Sequence, residues 1–149
     1  MENYTANTII NATAHQSYKA LTEDIPLWWT EMFQSSANNE GDSFTVRFGE
    51  DVFKTIRVEE LVANSKVVWF VEDSLINIPQ LNNQKEWIDT SIVWEIEEKG
   101  NSILLRLTHI GLHPEIECYE ICSMGWKQFI DSLKSYLETG TGTPFKLNK

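Results

Sequence analysis

The chain has 149 residues, 42% of them hydrophobic, and a formal charge of -10 from 12 basic and 22 acidic side chains. That size suits a single domain over 1–149, able to bury roughly 70% of its unfolded surface without a disulfide or metal staple. Its negative field repels phosphate backbones and anionic headgroups, which argues against nucleic acid and membrane surfaces as partners. Met1 to Ile10 carry no basic region and no apolar run of signal length, and nowhere do about 18 apolar residues run together, so a cytoplasmic location is expected. Cys118 and Cys122 stand one helical turn apart, a spacing that seldom makes a structural disulfide and agrees with a reducing compartment.

Tyr4 to Asn11, rich in Thr and Ile, reads as a first strand. Two short helices are expected next. The first covers about His15 to Leu21; the second follows Thr22 as its cap, with Pro26 in its first turn and Leu27, Trp28 and Trp29 completing it. Consecutive helical residues differ by about 100° in direction, so one of the two indoles is expected in the core and the other at a cavity or rim. Ser35 to Asp42 reads as a loop. Phe44, Val46 and Phe48 then alternate with polar residues, Gly49-Glu50-Asp51 makes a turn, and Val52-Lys54-Ile56-Val58 share one face of the hairpin partner. In the next run, Lys66 to Glu72, both faces are apolar, which suits a central strand. Asp73 to Glu86, with Pro79, reads as a long loop or short lid. Asp89 to Glu97 and Asn101 to Ile110 form another hairpin. A long helix is expected from near Pro114 to Gly140, with Cys122, Trp126, Phe129, Ile130, Leu133 and Leu137 along one apolar face.

Strands that run together between terminal helices define an α+β class with an antiparallel sheet. The order also resembles a known superfamily. The segments that carry the resemblance are Ala20-Leu21-Thr22 leading into Leu27-Trp28-Trp29-Thr30, Val67-Val68-Trp69, Thr90 with Ile92 and Trp94, His109 with Gly111-Leu112, Gly125-Trp126, and Leu133 through Tyr136-Leu137 to Gly140 and Pro144. Together they are similar to the START-like superfamily, also called SRPBCC or the birch pollen allergen fold. Within it, they resemble the family named after the C-terminal domain of the activator of the ninety-kilodalton heat-shock protein ATPase. The resemblance implies a helix-grip fold: a curved antiparallel sheet of about six strands wrapped on the long C-terminal helix, with two short helices after the first strand. It implies a cavity between helix and sheet, used in relatives for lipids, hydrophobic small molecules or occasionally catalysis. It transfers no catalytic motif.

The ligand-contact candidates are Trp28, Trp69, Trp94, His109, Trp126 and Phe129. A buried indole is worth roughly 4 to 6 kcal/mol at about 25 cal/mol per Å², reason enough to keep each as core. Several rings around one helix can also leave a gap that a ligand fills. Helix-interior Gly125 costs about 1 kcal/mol relative to Ala, so a helix bend, or close approach of a strand, a ring or a ligand, is expected there. His109 points inward with Ile103, Leu105 and Leu107, and its ordinary pKa would suit a general acid or base. His109, His113, Cys118 and Cys122 are all zinc-capable. They lack knuckle spacing and straddle a strand end, a loop and a helix, so no metal is assigned. Nucleophile elbow, phosphate loop and dinucleotide fingerprint are all missing, so no cofactor and no catalytic residue is assigned.

Three functions follow. The first is binding of a hydrophobic or amphipathic small molecule. The second is a chaperone-assisting interaction of the heat-shock ATPase activator type. The third is a cyclase or hydrolase-like enzyme using His109. A monomer or an edge-paired homodimer is open.

Overall fold

The computed structural model describes residues 3–146. Strand β1 (Tyr4–Ile10) is followed by helix α1 (Ala14–Thr22). The helix starts where Thr13 accepts from the Gln16 N–H and the Gln16 side chain accepts from the Thr13 N–H, a reciprocal cap that satisfies two otherwise orphaned donors. The expected second helix is a single 3-10 turn, Ile25–Leu27. Thr22 does not cap it; its hydroxyl donates back to the Tyr18 carbonyl inside α1.

Strands β2 (Phe33–Ser35), β3 (Ser43–Arg47), β4 (Val52–Val62), β5 (Lys66–Ile76), β6 (Ser91–Lys99) and β7 (Ser102–Ile110) then form one antiparallel sheet with β1, in the order β1-β7-β6-β5-β4-β3-β2. The seventh strand is β2, three residues on the sheet's edge that carry too short an alternation to show in sequence. β5 runs four residues past the expected Glu72. The apolar period breaks there because the β4–β5 pairing shifts register between Thr55 and Ile56. Val67, Trp69 and Val71 are buried before the bulge and Ser74 and Ile76 after it, so the inward phase moves from odd to even positions.

Helix α2 (Tyr119–Thr139) begins five residues later than Pro114. The Glu86 carboxylate accepts from the Glu117 and Cys118 N–H groups, both at 3.1 Å, so a residue from the β5–β6 connection supplies the cap and the negative charge that a helix N-terminus favours. At the other end Gly140, in the left-handed conformation (φ 85°), stops the helix. The tail then folds back. Ser132 Oγ donates to the Trp28 carbonyl and accepts from the Thr143 N–H, both at 2.7 Å, while the Phe145 N–H donates to the Trp29 carbonyl. A Cβ at Gly142 would come within 2.5 Å of the Leu27 carbonyl oxygen, so only glycine lets the tail lie there. This clamp fixes the Trp28-Trp29 segment against α2.

The core is aromatic. All six tryptophans of the chain, Trp28, Trp29, Trp69, Trp87, Trp94 and Trp126, join one ring cluster. Trp29 is a hub, stacked on Trp28 (5.7 Å), Trp69 (5.6 Å) and Trp126 (5.5 Å). The two consecutive indoles therefore lie parallel, at 4°. They can stack although consecutive, because the 3-10 turn ends at Leu27 and Trp28 leaves helical geometry, with φ -134°. Each such ring pair adds about 0.5–1.5 kcal/mol beyond its area.

Candidate functional site

A pocket of about 210 Å³ opens at one end of the seam between α2 and the sheet. Its floor is Val52 and Lys54 on β4 with Ile76 at the end of β5, and Ile78 two residues further on. Trp29 and Phe48 form one side, Trp87 the other, and Ile121, Cys122, Gly125, Trp126 and Phe129 of α2 the roof. The irregular connection after Ile76 is thus a wall: Leu81 and Trp87 are buried, and Glu86 ties it to the start of α2. Alternation along β4 aims Val52, Lys54, Ile56 and Val58 at the same face, which is why a lysine finds itself among apolar residues.

Of the six ligand-contact candidates, Trp126 and Phe129 line this pocket. Trp28, Trp69, Trp94 and His109 lie behind it, fully buried among other rings. Trp29, not Trp28, is the pocket-lining member of the consecutive pair. Gly125 differs from expectation in a useful way: nothing lies within 4 Å of a Cβ placed there, so no strand or ring presses on it. It lies at the edge of the pocket, bordered on its other side by the exposed surface of Met124 and Gln128. Lys54, Trp29, Trp87, Phe48 and Ile76 were missed as site residues, although Lys54 stands in phase with Ile56 and Val58 in the sequence itself.

Behind the wall, the hydrogen bonds of His109 are fully determined. Trp126 Nε1–H can only donate, so His109 Nδ1 accepts from it at 3.0 Å. The Thr90 hydroxyl donates to the Trp87 carbonyl and lies 2.9 Å from His109 Nε2, which must then carry the proton and donate to Thr90 Oγ1. The imidazole is neutral by construction. Burial, and secondarily the charge of Lys54, pushes its pKa down to about 3. With both nitrogens engaged and no solvent exposure, His109 has no free lone pair to offer a substrate or a metal. It is therefore not available to join His113, Cys118 and Cys122, and among the described residues no three metal-capable side chains converge.

Lys54 is the electrostatic outlier. Its ammonium sits 4.5 Å from the centre of the Trp87 ring and 4.7 Å from that of Phe48, in cation–π contact with both. Burial pushes its pKa down to about 8, against the opposite pull of Cys122 and Cys118. Trp87 Nε1–H donates to Cys122 Sγ, and Cys118, hydrogen-bonded to Cys122 and buried, is pushed up. Both cysteines are free thiols.

A curved antiparallel sheet gripping a long terminal helix, with a pocket in their seam, defines the START-like class of ligand-binding folds. Residues 11–138 match the family described as Activator of Hsp90 ATPase homolog 1-like protein, and the chain belongs to that family. The solution structure of the Aha1 dimer from Colwellia psychrerythraea is similar at 29% identity and TM-score 0.75, over 95% of this chain and 100% of that one. CalU16 from Micromonospora echinospora shares the fold at 15% identity and TM-score 0.66, over 93% of this chain and 75% of that one. Protein MLL2253 from Mesorhizobium loti does so at 17% identity and TM-score 0.70, over 90% and 96%. No curated protein matches the chain significantly. Among the described residues no helix is long and apolar enough to cross a membrane.

Proposed function

We propose that the protein binds a hydrophobic or amphipathic small molecule in the pocket between α2 and the sheet. The observation that carries this reading is the apolar pocket between α2 and the sheet, with unfilled space at Gly125 on its roof. A helix-interior glycine costs about 1 kcal/mol relative to alanine, and here no neighbouring atom requires it. The lining is almost wholly apolar, as in small-molecule sites generally. An apolar cavity of about 150 Å³ suffices for benzene, so this one suits a single ring with a short extension. His109 offers no base, which weighs against the enzymatic reading.

The neutral probe 4-phenylbutanol, followed by NMR at the indole N–H signals, tests the proposal. Shifts at Trp87 and Trp126 are expected in the wild type. They should shrink at least tenfold in Gly125→Leu, which fills the pocket from a position where a side chain has room. A wild type without such shifts, or a Gly125→Leu protein that binds equally well, would refute pocket binding.

Family membership and the Aha1 relative favour a second reading, a chaperone-assisting interaction. Ile121 and Met124, 41% and 72% exposed on α2, offer an apolar surface beside the pocket mouth. Binding to a purified Hsp90-type ATPase should then be measurable and should weaken in Met124→Glu. Absence of wild-type binding would remove this reading. The relative's dimeric state makes a homodimer the assembly to look for, by sedimentation equilibrium.

A further inference from the structure

Resting on the ligand-binding reading, we infer that the pocket selects small organic acids, with the apolar body between Trp87, Phe129 and Ile76 and the carboxylate against Lys54. Among the described residues no Asp or Glu lines the pocket, and Lys54 is the one charged residue that does. Among the described residues the ion pairs all involve other cations, so the Lys54 ammonium has ring faces for neighbours and no carboxylate. A buried cation whose one acidic neighbour in the pocket wall is the Cys122 thiol is costly, and an anionic ligand offsets that cost as it offsets its own desolvation.

A second observation points the same way. Ser74 pairs directly across the ladder from Lys54, one step inward from the Val52–Ile76 pair that floors the pocket. Its hydroxyl is fully buried and has no hydrogen-bond partner. Directly opposed residues on one sheet face hold their Cβ atoms about 5 Å apart, so Ser74 lies beside the Lys54 stem just beneath the pocket floor, behind the lining residues. A carboxylate matches the Lys54 ammonium in charge and as an acceptor, and its insertion brings a second oxygen toward the unpartnered Ser74 hydroxyl; an alcohol accepts less and carries no charge. A cation in the floor has no role in a site built for a hydrocarbon.

The test is calorimetric titration at pH 7 with 4-phenylbutyrate and its neutral analogue 4-phenylbutanol. The wild type should bind the acid at least tenfold more tightly than the alcohol. In Lys54→Met and Lys54→Gln the ratio of acid to alcohol affinity should fall at least tenfold. Equal binding of acid and alcohol by the wild type, or a preference for acid that survives in both Lys54 variants, would overturn acid selection and leave the pocket standing. Failure of the folded wild type to bind either compound would overturn the ligand-binding reading and this inference with it.

Discussion

Around His109 the polar groups close on one another: indole N–H to imidazole, imidazole to threonine hydroxyl, hydroxyl to the Trp87 carbonyl. Around Lys54, which also packs on the Trp87 ring, an ammonium faces two aromatic rings and the serine paired with it across the ladder has no partner. Both regions are buried, both hold a titratable group pushed below its ordinary pKa by burial, and Trp87 borders both. The difference is saturation. A satisfied network resists entry and fixes one arrangement of the core, whereas an ammonium that faces open pocket space with no carboxylate has binding capacity left over. Histidine, the more conspicuous residue chemically, belongs to the scaffold; the lysine belongs to the site.

The contrast can be broken most forcefully at Trp126, which serves both regions. Trp126→Ala should lower stability by about 3–5 kcal/mol in urea denaturation, because it empties the ring cluster and leaves His109 Nδ1 without its donor. A loss below about 1 kcal/mol would mean that the network does not hold the core.

The His109 side has its own pH signature. Its folded pKa of about 3 lies below the ordinary 6.5, so between those values the unfolded chain binds the extra proton and the native state does not. Stability contributed by the neutral ring is therefore complete above pH 6.5 and falls as pH drops toward 3, with a limiting slope of about 1.4 kcal/mol per pH unit. Subtracting the stability–pH profile of His109→Gln from that of the wild type isolates this slope. A flat difference would show that the imidazole is accessible to protons in the native state.

At Lys54 the expected sign is opposite to that of an ordinary core deletion. The folded pKa of about 8 lies below 10.5, so burying the ammonium costs stability progressively as pH falls from 10.5 to 8, and the full cost applies at pH 7. Lys54→Met should therefore stabilise the protein by about 1–3 kcal/mol at that pH. Chemical denaturation decides it, and destabilisation would place the lysine among the scaffold residues after all. The smallest effect belongs to Gly125→Ala, expected to raise stability by about 1 kcal/mol while narrowing the pocket mouth. A decrease in the thermal midpoint would show that the backbone there depends on glycine.

Much of this architecture was legible in residue order. The alternation of Phe44 and Val46, Ile56 and Val58, and Ile103 to Leu107 places strands, and the stripe from Cys122 to Leu133 places a long helix, because burial on one face imposes a period of two or 3.6. The inward turn of His109 followed from the same alternation. Legibility failed where tertiary partners set the geometry. Helix α2 starts late because Glu86 caps it from another segment, and β5 continues past Glu72 through a bulge that only pairing with β4 defines. Trp87, in a stretch with no period, carried no signal of its position at the pocket wall.

The sequence by itself determined the class of fold, since periodicity and element order are local properties that every residue in an element helps to write. It also determined that Lys54 shares a face with Ile56 and Val58. Only the tertiary structure decided which tryptophans are wall and which are core, because the 3-10 turn at Leu27 and the tail clamped by Ser132 rotate Trp29 toward the pocket and Trp28 away from it. Only the tertiary structure likewise separated His109 from Lys54, since saturation of a polar group depends on partners that arrive from distant segments of the chain.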